Sequence, residues 1–254
     1  MPAGLKQRTP IRRAQPALRG RIKADRQMKR AVVFDLDDTL YRESDYVRSG
    51  FGAVGAHLGR GDELARWLWA LFQTGERSKL FDAMGRRFGL GLDAAGIAEL
   101  VDVYRRHRPG IHCCRGVKPL LHALRRRGLR LGLLSDGYLP AQRLKLSAVG
   151  LEGFFDAVVF TEDIGPRAWK PSPEGYQLIR RRLGLAHQGC VYVGDNPAKD
   201  FLAPNGLGWL TVQWRRRGQI HADNPPPPGG APQRVVRSGP ELLRTVTAAR
   251  RRIK

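Results

Sequence analysis

The chain has 254 residues, 42% of them apolar, which suits one large domain or a core domain carrying a smaller insert. No apolar run approaches the ~20 residues of a membrane-spanning helix, and the basic N-terminus lacks the apolar segment of a secretory signal. Three cysteines, the adjacent pair Cys113 and Cys114 and the distant Cys190, give neither a disulfide framework nor a zinc-ligand spacing, so a reducing cytoplasm is expected.

The formal charge is +22, from 45 basic and 23 acidic residues. Residues 1–30 hold ten Lys/Arg against one Asp, so the remainder is basic too. Such a balance attracts polyanions or phosphorylated substrates. The arginines cluster as Arg125–Arg127, Arg180–Arg182 and Arg250–Arg252 without aromatic interleaving, which favours a solvated basic surface over a nucleic-acid module.

In chain order, residues 1–29 carry Pro2, Pro10 and Pro16 and little apolar periodicity, and read as a basic, disordered arm. The arm is either a tether or a lead-in to a start near Met28, and is the one place where nucleic acid contact is weighed. Ala31–Phe34 is apolar and β-branched, the pattern of a buried parallel strand, and runs into Asp35, Asp37, Asp38 and Thr39. Residues 42–116 read as helical. Leu64, Trp67, Leu68, Leu71 and Phe72 form one stripe with Asp62 as N-cap; a second helix spans Glu76 to Phe88; Ile97, Leu100, Val101 and Tyr104 form a third stripe. Trp67, Trp69 and Phe72 are assigned to the core of this insert, and Cys113 and Cys114 to packing.

From Val117 helix and strand alternate: a helix to Arg127, a strand Arg130–Leu134, a helix Pro140–Val149, a strand Asp156–Phe160, a helix Pro173–Leu183, a strand Cys190–Val193, a helix from Pro197, a strand Trp209–Val212, an exposed PPPPGG loop, a short strand at Val235–Val236 and a helix from Pro240. This rhythm predicts an α/β fold with a doubly wound, Rossmann-like parallel sheet. The domain reading is a core of 30–41 and 117–254 with an all-helical insert of 42–116.

Parallel strands present their carboxyl ends on one edge, where open α/β sheets bind ligands. Asp35/Asp37, Ser135/Asp136/Gly137 and Asp195/Asn196 all follow strands, with Asp200 five residues after Asp195 and Lys170 in a further loop. Convergent carboxylates suit Mg²⁺, a hard cation that also accepts phosphate and water. Ser135, Thr39, Lys170 and neighbouring N–H groups suit phosphate oxygens. Asp38 reads as a turn residue, and the six histidines form no cluster.

FDLDDTL, LLSDG, WKPSPEGY and VYVGDNPAKD resemble, in order and spacing, the four motifs of the haloacid dehalogenase superfamily, and the insert resembles the helical cap of one of its subgroups. The resemblance implies that Asp35 is a nucleophile and Asp37 an acid and base. It implies that Asp35, the Asp37 carbonyl, Asp195 and Asp200 hold Mg²⁺, and that Thr39, Ser135, Asp136, Gly137 and Lys170 bind the phosphoryl group. Many members carry Asn where Asp136 stands, which leaves that residue either orienting its loop or touching substrate. Members that cleave carbon–halogen bonds lack an acid at the Asp37 position, so phosphate ester chemistry is favoured. The expected protein is a cytoplasmic Mg²⁺-dependent phosphomonoesterase for a small metabolite: a sugar phosphate, a nucleotide monophosphate or a phosphoglycolate-like acid. A phosphomutase of the same fold and a polyanion-binding protein remain as alternatives.

Overall fold

The computed structural model describes residues 30–248. Its centre is a six-stranded, wholly parallel sheet with strand order β3-β2-β1-β4-β5-β6. The strands are β1 Ala31–Phe34, β2 Arg130–Ser135, β3 Ala157–Phe160, β4 Cys190–Gly194, β5 Leu210–Trp214 and β6 Arg234–Val236. β1 lies between β2 and β4 with Ala31 level with Arg130 on one side and Cys190 on the other. All four β1 residues are buried, which explains the unbroken apolar run.

Successive side chains of β1 face opposite layers. Val32 and Phe34 pack with Leu120, Leu121 and Leu124 of α5 (Val117–Arg126), Leu146 of α6 (Leu139–Ala148) and Leu242 and Val246 of α9 (Gly239–Ala248). Ala31 and Val33 pack with Tyr176 and Ile179 of α7 (Glu174–Arg182) and with Phe201 and Trp209. α8 (Leu202–Gly206) completes that second layer. Among the described residues, no helix is long and apolar enough to cross a membrane.

Between β1 and α5 run α1 (Glu43–His57), α2 (Gly61–Gln73), α3 (Leu80–Phe88) and α4 (Ala94–Arg106). They share an apolar cluster that includes Val47, Phe51, Leu64, Leu68, Phe72, Met84 and Leu100, with Trp67 and Trp69 packed at its margin. The two chain connections to these helices run side by side: Tyr41 bridges Cys113, and Cys114 N–H donates to the Leu40 carbonyl at 2.9 Å.

Several local expectations are corrected. α1 has no clean apolar stripe, because Gly50 and Gly55 occupy its buried face beside Tyr46, Val47, Phe51 and Val54. Asp62 lies inside the first turn of α2; Arg60 precedes the helix, and no side chain caps it. α3 starts at Leu80 rather than Glu76, because the Glu76 carboxylate gathers the N–H groups of Arg77 and Ser78 into a turn and Lys79 adopts φ 52°. After β4 a tight turn, not a helix, covers Pro197–Asp200, and α8 begins at Leu202. The expected basic arm, residues 1–29, and the Arg250–Arg252 cluster lie outside the described residues.

Gly55 gives a direct test of how tightly α1 meets α2. A methyl group there would lie 2.2 Å from the Gly61 carbonyl oxygen. Gly55→Ala is expected to destabilise the protein by about 1–3 kcal/mol, the usual cost of overpacking, read as a lower urea midpoint.

Candidate active site

The site lies on the carboxyl edge of the central strands. Ladder bonding outlasts β1 by one residue, since Asp35 N–H donates to the Val193 carbonyl at 2.9 Å. Asp195 directly follows β4, and Asp200 returns to the same tip through the Pro197–Asp200 turn, in which Asn196 N–H donates to Asp200 Oδ2 at 3.0 Å. Gly194 makes this approach possible, because a Cβ there would meet Asp200 Oδ2 at 2.4 Å. One carboxylate oxygen each from Asp35, Asp195 and Asp200 then lies within 4.8 Å of the others, and all three residues are buried.

Lys170 reaches into this cluster from the loop between β3 and α7. Its ammonium donates to Asp35 Oδ1, to Asp200 Oδ1 at 2.9 Å and to the Tyr192 hydroxyl at 2.8 Å, so its three protons have three acceptors. Asp136 positions that loop: its carboxylate accepts Lys170 N–H at 3.1 Å and the Thr161 hydroxyl at 2.9 Å. Thr39 Oγ1 donates to Asp195 Oδ1 at 3.3 Å. Three buried side-chain oxygens, Ser135 Oγ, Gln142 Oε1 and Asp195 Oδ2, have no hydrogen-bond partner among the described residues. Gly137 has φ 128°, and a side chain there would collide with Gln142.

Asp37 is oriented differently. Its carboxylate accepts from the Tyr41 hydroxyl, from Lys145 Nζ at 2.8 Å and from Gln142 Nε2 at 2.8 Å. Its backbone carbonyl accepts Thr39 N–H at 2.6 Å and keeps a second lone pair. Asp38, at φ 51°, accepts Glu43 N–H at 2.8 Å and Ile220 N–H at 2.7 Å, so the third acid ties the β1 loop to α1 and to the segment after β5.

Electrostatics separate these acids. Burial pushes the Asp35 carboxyl up to about 7, with Lys170 pulling the other way. Burial, aided by Asp200 and Asp35, also holds Asp195 well above the usual carboxylate range. Asp200 stays below that range despite burial because Lys170 and Lys199 outweigh it, and Lys145 has the same effect on Asp37. Lys170 thus pairs with both Asp35 and Asp200, so one ammonium faces three carboxylates and Asp195 has no cationic partner of its own. An all-oxygen cluster short of two positive charges, with Asp195 Oδ2 unbonded, fits a hard divalent cation.

Sequence reasoning did not identify Lys145, Gln142, Tyr41 or Tyr192. The i, i+3 pair Gln142 and Lys145 on the helix after LLSDG was the available signal, since it falls on one face of α6. A cavity of about 430 Å³ lined by His112, Cys113, Cys114, Arg115 and Lys118 shares no residue with the carboxylate cluster.

A family model for haloacid dehalogenase-like hydrolases matches residues 29–208. The glyceraldehyde 3-phosphate phosphatase of Methanopyrus kandleri is 33% identical over 200 residues, 74% of this chain and 85% of that protein. The (S)-2-haloacid dehalogenase of Pseudomonas sp. strain YL is 29% identical over 209 residues, 75% of this chain and 84% of that protein. The crystal structure of the HAD-hydrolase YfnB from Bacillus subtilis bound to magnesium aligns with TM-score 0.65 at 21% identity, covering 87% of this chain and 99% of that one.

The raised carboxyls set a pH dependence. A folded-state pKa above the unfolded value means that the folded state holds the extra proton, so stability falls as pH rises between the two. For Asp35 that window runs from 3.8 to about 7. The cation-free protein is expected to melt at lower temperature at pH 8 than at pH 5, and Asp195→Asn to shrink the difference. A melting temperature that is flat or rising across this range in the parent counts against the raised carboxyls of Asp35 and Asp195.

Proposed function

The chain belongs to the haloacid dehalogenase-like hydrolases, and from that premise we propose that it is a Mg²⁺-dependent phosphomonoesterase acting on a small phosphorylated metabolite in the cytoplasm. Membership alone does not choose the reaction, because both a phosphatase and a dehalogenase are among the relatives. The observation that carries the choice is Asp37, an acid two residues beyond Asp35 with its own set of donors. Carbon–halogen cleavage has no use for a proton at that point; departure of an alkoxide from phosphorus does.

In this reading an Asp35 carboxylate oxygen attacks phosphorus and the bond to the leaving oxygen breaks. Asp37, whose carboxyl Lys145 holds below the usual range in the free protein, takes a proton from solvent as the negative charge of the ester enters beside it and gives that proton to the leaving oxygen. A water then attacks the aspartyl-phosphate, surrenders a proton to Asp37, and the bond from phosphorus to Asp35 breaks to release phosphate. Lys170 offsets the charge of Asp35 and of the phosphoryl group, so that an anion can approach an anion. Ser135 Oγ, buried without a partner, and Thr39 Oγ1 supply hydroxyls for the phosphoryl oxygens. Asp35, Asp195, Asp200 and the Asp37 carbonyl would hold Mg²⁺, which when bound adds positive charge beside the phosphoryl oxygens. Asp136 acts through the Lys170 loop rather than on substrate. Helices α1–α4 serve as a cap that restricts the site to small esters such as sugar phosphates, nucleotide monophosphates or phosphoglycolate-like acids.

Phosphate release from 4-nitrophenyl phosphate and from a panel of phosphorylated metabolites tests this directly. Activity is expected with Mg²⁺ and not with EDTA, and Asp35→Asn is expected to lose about 10⁴-fold or more in kcat. Turnover in EDTA, an active Asp35→Asn, or chloride release from 2-chloropropionate in place of phosphate release would overturn it.

A further inference from the structure

Lys145 is a lysine with only 9% of its side chain exposed, on a helix that packs against the sheet. Such burial is costly for an ammonium and calls for a partner. Its partner is Asp37 Oδ1 at 2.8 Å, while Gln142, three residues earlier on the same face of α6, holds Oδ2 at 2.8 Å. The same ammonium lies 4.1 Å from the ring centroid of Tyr46 on α1, within cation–π range. Tyr46 in turn donates its hydroxyl to the Tyr104 carbonyl on α4 at 3.3 Å. Lys145 therefore sits between the Asp37 carboxyl and Tyr46 of α1, which is itself tied to α4. The phosphoryl charge falls to Lys170, so the reaction outlined above leaves Lys145 without a task.

Proton transfer needs the donor oxygen held within about 2.6–3.2 Å of its acceptor in the right orientation. Asp37 Oδ1 is held by Lys145 and by the Tyr41 hydroxyl and Oδ2 by Gln142, so a carboxyl that loses Lys145 keeps only neutral donors, without its charge-assisted bond, and is freer to turn. We propose that Lys145 is a positioning residue: with Gln142 it sets the plane of the Asp37 carboxyl for proton transfer, and through Tyr46 it makes that setting depend on how the insert is seated. The inference rests on the reading of Asp37 as the proton donor.

Leaving-group chemistry separates positioning from general structural damage. When the bond from phosphorus breaks, a 4-nitrophenolate departs without help, whereas an alkoxide needs the proton of Asp37. The experiment measures kcat/KM of the Mg²⁺-loaded full chain on 4-nitrophenyl phosphate and on a simple alkyl phosphate. Asp37→Asn sets the reference, with an expected loss of about 10²-fold or more on the alkyl ester and less than about 10-fold on the aryl ester. Lys145→Met is expected to reproduce this selective loss, Lys145→Arg to restore most of the alkyl activity, and Tyr46→Leu to show a smaller loss of the same kind. Equal losses on both esters in Lys145→Met, beside a selective Asp37→Asn, would overturn the positioning role while leaving the general mechanism intact. Equal losses in Asp37→Asn itself would sink the reading of Asp37 and the proposal with it. Unchanged selectivity in Tyr46→Leu would overturn the part given to the insert. Thermal melts accompany each variant; if Lys145→Met does not fold, Gln142→Leu breaks the other half of the grip and is read by the same criterion.

Discussion

Like charges brought together out of water are the constraint from which the rest of this structure follows. Asp35, Asp195 and Asp200, all three buried, place oxygens within 4.8 Å of one another. Repulsion at that range, with little solvent to screen it, amounts to several kcal/mol per pair. Lys170 answers one charge and orders itself by its contacts to Asp35, Asp200 and Tyr192. The remaining deficit appears as carboxyls that hold their protons up to about 7 in the case of Asp35. A site built this way is stable only as part of a larger core, and it gains most from a bound cation at the pH where Asp35 and Asp195 would otherwise ionise.

The sheet supplies that core with little material. β1 has four residues, all buried, and its side chains alternate between two helical layers. Because β2 and β4 flank it in parallel, Ser135 and Asp195 emerge level with each other, one residue beyond Asp35. Residues with no chemistry of their own then determine how close the oxygens come. Gly194 lets the Asp200 carboxylate lie against the strand end, and Tyr192, inside β4, gives the buried Lys170 ammonium its third acceptor. Backbone geometry thus sets the electrostatics of the carboxylate cluster.

Much of this was legible in the sequence for physical reasons that can be named. Buried parallel strands have a composition of their own, and their tips must share an edge, so the convergence of Asp35, Ser135 and Asp195 followed from topology. Lys170 and Asp200 were legible through motif spacing. The features that were not legible depend on packing between segments far apart in the chain. α1 went unseen because two of its buried positions are glycines, which carry no hydrophobic signal but admit Tyr104 and the Gly61 carbonyl. Asp62 failed as an N-cap because a backbone turn from Leu58 to Arg60 already delivers the chain into α2. Lys145 and Gln142 look like ordinary polar residues of a surface helix until α6 is laid against the β1 loop.

The three acids of the stretch Asp35–Asp38 show how far environment outruns residue type. Asp35 meets a lysine and two other carboxylates, and burial raises its pKa. Asp37, two residues on, has its own donors in Tyr41, Gln142 and Lys145, and Lys145 keeps its carboxyl below the usual carboxylate range despite burial. Asp38 takes a left-handed backbone conformation and faces neither; it collects N–H groups from Glu43 and Ile220. Ile220 itself packs against the apolar cluster of α1–α4, and the neighbouring Gln219 amide donates to the Asp38 carbonyl at 2.8 Å. One short loop therefore carries two carboxyls in contrasting environments, Asp35 and Asp37, and in Asp38 the tie that binds α1 and the segment after β5 to the sheet. A shift of α1 against the sheet would be felt at Asp38 through its backbone partners and at Asp37 through Lys145. That gives α1 two mechanical routes to the two acids of the β1 loop.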